Sequence, residues 1–332
     1  MNRELIPLRD DAHWHSLRAQ DLTSTDIAAL FGMSPYATAV DVWHAKRDGI
    51  VETLEDNERM RWGRRLESVV AEGIAEDQGW SVRPFKEYGR LPEHRLGASF
   101  DYRVTTHKVQ FMQGDGSFVD GTIDGPDDFV LEIKTVDALA FRSGWTVEPD
   151  FIEAPAHIEL QIQHQLLVSG LRIGYIGALV GGNTVRLIRR EADNDVHAAI
   201  LQRAAEFWQS VTTGTPPPIT TADDARAYVK RQTSVEPGRL FDARGNRAVE
   251  ELLRDYRLAR LEAQAATDVA DITKARLLEV IGESERVMFD GGTISCGYTA
   301  GSAGTTITAD MIGTTVGARA GFRNFRVNYK KA

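Results

Sequence analysis

Along this chain, apolar positions recur at helical spacing in some stretches and alternate with polar ones in others, and the two periods divide the sequence into elements. Leu22-Thr23-Ser24-Thr25-Asp26-Ile27-Ala28-Ala29-Leu30 reads as a helix entered through hydroxyls and an acid, and Gly32-Met33-Ser34-Pro35-Tyr36 breaks it. A short helix with Trp43 follows over 39–45, and a longer one over 58–75 puts Met60, Leu66, Val70 and Ile74 on one side. Strands are predicted over 80–82 and 87–91, and 96–102 is an apolar stretch that ends in Asp101 and Tyr102. The glycine-rich span 105–128 reads as a hairpin or loop excursion. Beyond it lie a strand at 130–134, a helix over 156–168, a hairpin of 171–180 with 183–190 over Gly181-Gly182, and an amphipathic helix over 195–211. Gly214 and Pro216-Pro217-Pro218 end that helix. Helices, acid-bearing strands, helix, hairpin and helix in this order predict an α/β fold of the α+β kind, a mixed sheet flanked by helices.

The pattern changes after Pro218. Residues 221–245 read as a polar connector, and 247–287 as a long charged helix or helical hairpin whose apolar points include Leu252, Tyr256, Leu261, Ile272 and Leu277. Short strands at 288–295 and 322–329 surround a Gly/Thr-rich stretch at 297–317. The expected organisation is a main domain over 1–220, a connector over 221–245, and an appendage of helical or coiled-coil segment plus small β-strands over 246–332. The appendage carries no recognisable chemistry; it serves partner binding, oligomerisation or capping of the core.

With 332 residues the chain is long enough for a sizeable core and two domains. Cys296 is the single cysteine, which excludes an internal disulfide, a Cys-rich zinc site and a four-cysteine iron–sulfur cluster. No apolar run approaches a membrane span and no signal-peptide core follows the first residues, so a cytoplasmic protein is expected. A net charge of −9 argues against indiscriminate adhesion to nucleic acid and leaves room for a local basic track.

The charges at 130–134 need an explanation. In a strand, Leu131 and Ile133 share one face, so Glu132 and Lys134 project side by side from the other. A neighbouring strand ending in Asp101 would bring a second carboxylate to Glu132. Two carboxylates beside a lysine suit a hard divalent cation, with the lysine holding water or balancing charge on phosphate. An isolated Glu-x-Lys is more often a solvated pair, so the context decides. Thr23, Ser24 and Thr25 are helix caps first and phosphate ligands only if Arg18 lies nearby. Arg61, Arg64 and Arg65 form either a solvated charged face or a track for a DNA backbone, with Glu67 beside them. On the 156–168 helix, Gln161 and Gln165 flank the core face, and His164 reads as a surface or supporting residue rather than a metal ligand.

Taken together, Trp14-His15-x-x-Arg18 with Leu22-Thr23-Ser24-Thr25, Gly32-Met33-Ser34-Pro35-Tyr36, Trp62-Gly63-Arg64-Arg65-Leu66-Glu67, Leu131-Glu132-Ile133-Lys134 and Gln161-Ile162-Gln163-His164 resemble, in order, the motifs of the lambda-type phage exonucleases, the YqaJ-like viral recombinase family within the PD-(D/E)xK nuclease superfamily. The resemblance covers about residues 10–220 and implies a restriction-endonuclease-like core. It implies a catalytic set of Asp101, Glu132, Lys134, Glu67 and Gln161, with Mg2+, replaceable by Mn2+, held by Asp101, Glu132 and the Ile133 carbonyl. It further implies a 5′-phosphate and DNA-binding set of Arg18, Thr23, Thr25, Ser99, Arg61, Arg64 and Arg65. Where the family has Ser-Pro-Asp-Gly, this chain has Ser99-Phe100-Asp101-Tyr102, and the spacer to Glu132 is long. Asp120, Asp124 and Asp128 therefore stand as alternative carboxylates, and Gln163 as an alternative to Gln161.

The implied activity is an Mg2+-dependent exonuclease that degrades duplex DNA ends from 5′ to 3′ and leaves 3′ single-stranded tails for phage-type recombination. Its implied partners are duplex DNA ends, a single-strand annealing protein and further copies of itself in a ring trimer, within a bacterial host of a phage or prophage. The alternative is an end-binding or scaffold protein of the same fold that has lost catalysis.

Overall fold

A computed structural model of the protein describes residues 1–50, 57–105, 107–112, 117–123, 128–149, 151–231, 238–300, 322–323 and 326–329. The chain divides into two compact units, Met1–Val235 and Glu236–Ala332. The first opens with strand β1 (Glu4–Pro7) and helices α1 (Asp11–Gln20), α2 (Ser24–Leu30), α3 (Ala39–Asp48) and α4 (Glu58–Gln78). Strands β2 (Ser81–Pro84), β3 (Glu87–Leu91), β4 (Leu96–Ala98), β5 (Tyr102–Thr105), β6 (His107–Met112), β7 (Phe118–Ile123) and β8 (Phe129–Val136) follow. Then come α5 (Ala138–Gly144), the hairpin of β9 (Thr146–Glu148) and β10 (Phe151–Glu153), and helix α6 (Ala156–Ser169). Strands β11 (Ile173–Val180) and β12 (Thr184–Glu191) and helices α7 (Asn194–Thr213) and α8 (Ala222–Arg231) complete the unit.

Its centre is a five-stranded sheet in the order β12-β11-β8-β5-β2, in which β8 and β11 run parallel and the other neighbours antiparallel. A parallel pair needs a crossover, and α6 lies within that connection. Strand alternation assigns the two faces of β8. Phe129, Leu131 and Ile133 pack with Val70, Ala71 and Ile74 of α4, while Val130 joins the core that holds Ile162 of α6, Ile27 of α2 and Trp43 of α3. Two glycines of β11 let both helices come close: a Cβ at Gly177 would lie 2.6 Å from Ile74, and one at Gly174 would lie 2.8 Å from Ile162. A mixed sheet flanked by helices is the fold class that the hydrophobic pattern predicts.

Three differences from the sequence reading have physical causes. The apolar stretch 96–102 is two strands rather than one: β4 pairs with β3 in a three-stranded sheet, β5 pairs with β8, and Asp101 lies in the bend between them. The first half of the expected connector is helix α8, because Asp224 accepts the backbone N–H and hydroxyl of both Thr220 and Thr221 and so starts the helix. His164 is fully buried rather than superficial, with Nδ1 2.9 Å from Ser24 Oγ.

In the second unit the 247–287 segment is one 35-residue helix, α9 (Arg247–Ile281), not a hairpin. It is followed by β13 (Arg286–Phe289), β14 (Gly292–Ser295), β15 (Tyr298–Thr299), β16 (Phe322–Arg323) and β17 (Arg326–Tyr329). The order β13-β14-β17 makes an antiparallel sheet, and β15 pairs with β16. Most of the predicted Gly/Thr-rich stretch lies outside the described residues.

Candidate active site

Glu132 projects from β8 toward α6 at 2% exposure. Burying a carboxylate is costly unless donors surround it, and here they do. Its Oε1 accepts Lys134 Nζ at 2.6 Å and Gln161 Nε2, and its Oε2 accepts Gln165 Nε2 at 2.7 Å. The same Gln165 amide reaches the Ser99 carbonyl at 3.1 Å. Gln161 and Gln165 lie one helical turn apart on α6, so one face of that helix grips the carboxylate.

Asp101 arrives from the other side. Pairing of β5 with β8 ends at Tyr102 opposite Leu131, and one step further the bend sets Asp101 across from Glu132. Its Oδ2 accepts the Ile133 N–H at 2.8 Å. Burial pushes the Asp101 carboxyl well above the ordinary range, and the Glu132 charge pushes it further. Glu67 on α4 is raised for the same two reasons, burial first and then Glu132. For Lys134, burial opposes the ammonium, but the Glu132 and Asp101 charges outweigh it and raise its pKa, so the lysine stays a cation.

The entry motif lies against this cluster. Leu22 exchanges backbone hydrogen bonds with the strand that leads to Asp101, from its own N–H to Arg95 O and from the Gly97 N–H to Leu22 O. Trp14 Nε1 donates to Ser99 Oγ at 2.7 Å, and Arg18, four residues on along α1, lies 4.6 Å over the Trp14 ring. A cavity of about 230 Å³ is lined by Arg18, Thr25, Asp26, Ser34, Tyr36 and Lys46 among others. Thr25, Ser34 and Tyr36 also line a second cavity of about 350 Å³ that holds Lys134, Gln161, Arg59 and His157. The shared residues make the two cavities neighbours, with Arg18 in the first and Lys134 and Gln161, which hold Glu132, in the second.

Most of the sequence-predicted residues therefore meet. Asp101, Glu132, Lys134, Glu67, Gln161 and Ser99 form one cluster, and Arg18 and Thr25 face the adjoining cavity. Thr23 does not face it. Its buried N–H and hydroxyl both donate to Asp26 at 2.9 Å, so it caps α2. Gln163 turns away, donating to Glu191 O and accepting from the Asp193 N–H. Asp128 is bound by Arg103 at 2.8 Å rather than joining Glu132. Asp124 lies outside the described residues, and of the Asp120 side chain nothing is described. Arg61, Arg64 and Arg65 are exposed on α4, with Arg65 over the Trp62 ring.

Two contributors escaped assignment from sequence. Gln165 was legible as flanking the cleft, but a glutamine carries no charge signal that marks it as a partner of Glu132. Lys46 emerges only in three dimensions: it bonds Asp26 at 2.9 Å and the Arg18 carbonyl at 2.7 Å, bracing the floor of the Arg18 cavity.

A buried acid–lysine pair on a mixed sheet, clamped from a crossover helix and opposed by an aspartate from the next strand, defines the class to which this architecture belongs. Residues 13–172 match the family model of the YqaJ-like viral recombinase domain. Among solved structures the chain is similar to an alkaline exonuclease from Laribacter hongkongensis, at 17% identity over 67% of this chain and 97% of that one, with a TM-score of 0.44. It is also similar to a phage-related exonuclease from Haemophilus somnus 129PT, at 10% identity over 60% of this chain and 99% of that one, with a TM-score of 0.35. No curated protein matches the chain. No helix among the described residues is long and apolar enough to cross a membrane.

Proposed function

We propose that the Met1–Val235 unit is a divalent-cation-dependent exonuclease that degrades duplex DNA from a 5′-phosphorylated end and leaves a 3′ single-stranded tail. The observation that carries this reading is the buried Glu132, held by Lys134, Gln161 and Gln165 and opposed by Asp101, with Lys134 and Gln161 lining a cavity that adjoins the one lined by Arg18.

The donor set fits Mg2+. Among the described residues no three His, Cys, Asp or Glu side chains converge closely enough to hold an ion by themselves. Mg2+ does not require that: one or two carboxylates with water and substrate phosphate suffice. A carboxylate oxygen offers two lone pairs. Glu132 Oε2 accepts one hydrogen bond and Asp101 Oδ1 none among the described residues, which leaves an acceptor on each acid for a cation. The raised Asp101 points the same way, because burial first and the Glu132 charge second disfavour its anion, and a cation bound there would offset both. Asp101, Glu132 and the Ile133 carbonyl would hold the ion, which would acidify water and offset charge on the leaving oxygen. Mn2+ has the same oxygen preference and would substitute.

The chain's own residues supply the rest. Gln161 and Gln165 fix the Glu132 carboxylate, so its orientation is set before substrate arrives. Lys134, kept protonated by the two acids, is a donor rather than a base and orients water and phosphate oxygens. Arg18 offers a planar fork of donors to a terminal phosphate, held in place by stacking on Trp14, and Thr25 adds a hydroxyl. Arg61, Arg64 and Arg65 would follow the duplex backbone without reading bases. The 3′ tail would pass to a single-strand annealing partner, and by resemblance several copies would encircle the duplex. Despite the altered Ser99-Phe100-Asp101-Tyr102 motif, Asp101 lies against Glu132, which favours catalysis over end binding alone.

The reading is tested by digesting duplexes that differ only in a 5′-phosphate or 5′-hydroxyl end, at fixed salt, with and without Mg2+. Faster loss of the phosphorylated duplex, only with the cation, supports it. Arg18→Ala should narrow that preference roughly tenfold or more, given the strength of charge-assisted phosphate contacts. Equal rates on both ends, or activity in excess chelator, would overturn it.

A further inference from the structure

Helix α9 of the second unit has 35 residues, about 52 Å of helix, and no buried residue. A long helix with apolar side chains on its surface is stabilised by a partner rather than by propensity alone. Its apolar positions decide which partner. Starting at Val249, residues recur at alternating spacings of three and four through Leu252, Tyr256, Ala259, Ala263, Ala266, Ala270, Thr273 and Leu277 to Val280, a seam with no charged residue. Leu252, Tyr256, Leu277 and Val280 on this seam are all exposed.

The seam is symmetric about the point midway between Gln264 and Ala265. Val249 mirrors Val280, Leu252 mirrors Leu277, Tyr256 mirrors Thr273, Ala259 mirrors Ala270, and Ala263 mirrors Ala266. Each pair joins a position of one heptad register to the other, which is the layer pattern of two antiparallel helices. Large layers thus fall at both ends and small ones in the middle, where alanines allow close approach. A parallel pair would instead set two Tyr256 rings against each other, whereas the antiparallel pair gives each ring a Thr273. Charges agree: Asp255 of one copy and Arg276 of the other flank the seam on the same side, two residues or about 3 Å apart along the axis. The opposite face of α9 lacks an uncharged run of this length. Leu258, Leu261, Val269 and Ile272 mirror one another about Ala265, but beyond them Arg254 would meet Arg276 and Glu251 would meet Glu279, like charges at both ends of a short apolar stretch.

We propose that α9 is a self-association element that pairs antiparallel with α9 of a second copy of this chain through the Val249–Val280 seam, joining two nuclease units. The proposal goes beyond the nuclease reading and stands or falls without it. A two-fold contact of this kind is self-complementary and closes at two helices, so it is separate from any ring contact made by the nuclease units.

Light scattering of the full chain and of Ala263→Glu tests the association. The central charge should halve the solution mass at micromolar concentration, while Leu261→Glu on the opposite face should leave it unchanged. Disulfide trapping tests the orientation. Ala259→Cys copies mixed and exchanged with Ala270→Cys copies should cross-link on oxidation, and neither should cross-link alone. The two copies of one position lie eleven residues, about 16 Å, apart along an antiparallel pair, beyond disulfide reach. Equal masses for wild type and Ala263→Glu would overturn the pairing. Cross-linking of each variant by itself would overturn the antiparallel arrangement.

Discussion

Glu132 shows how a buried charge becomes usable when its partners are neutral donors as well as a cation. Of the three groups that hold it, Lys134 is two residues away on the strand and was legible from the sequence, whereas Gln165 depends on α6 crossing behind β8. Gln165→Leu keeps the volume and removes the donor, so the carboxylate should rotate more freely. A loss of roughly 10–100-fold in activity is expected, the usual scale for groups that orient a metal ligand, with a matching rise in the Mg2+ needed for half-maximal rate. Unchanged Mg2+ dependence would show that Gln165 only fills space.

His164 illustrates the opposite case, a residue whose role the sequence obscured. Burial depresses its pKa from the ordinary 6.5 to about 3, so it stays neutral in the fold. Below pH 6.5 the unfolded chain takes up a proton that the folded one refuses, and stability present above that pH is lost as pH falls toward 3. The loss from this group should approach about 1.4 kcal/mol per pH unit. His157 and His197 are lowered in the same direction, by burial first, and add to the slope. His164→Asn retains a partner for Ser24 and should flatten the pH dependence of urea midpoints between pH 6 and pH 4. An unaltered slope would assign the acid sensitivity elsewhere.

At the scale of elements, helices and strands were legible wherever one period dominated. The strand at 130–134 and the helix at 156–168 correspond to β8 and α6 within a few residues. The split of 96–102 was not legible, because β4 and β5 are both apolar and local sequence carries no record of which sheet each joins. That split matters for the site, since it makes the bend that presents Asp101. The close approach of α4 to the sheet gives a second test. Gly177→Ala would place a methyl 2.6 Å from Ile74 and should destabilise the unit by about 1–3 kcal/mol, read as a lower denaturant midpoint. Because the same helix carries Glu67, activity should fall further than stability alone explains.

For the whole molecule, the sequence indicated a change of character after Pro218, but the compact unit extends to Val235. The reason is α8, which packs against α3 and buries Asp224 under its own cap. A chain ending at Val235 should be a folded nuclease, since every site residue precedes it. A chain ending at Thr221 should be less stable because α3 loses that cover. If the Val235 truncation is folded by circular dichroism yet inactive on every duplex tested, the second unit contributes to catalysis.

In the proposed reading Glu132 and Asp101 form a cation-dependent hydrolytic centre. Its most direct test is nucleotide release from 5′-phosphorylated, end-labelled duplex by wild type and Glu132→Gln after chelation, with Mg2+ titrated back. Wild type should regain activity with Mg2+, and the variant, still folded and still binding duplex, should stay at least about 10²–10³-fold slower at saturating Mg2+. Wild-type release in excess chelator, or equal rates for the two proteins, would contradict it.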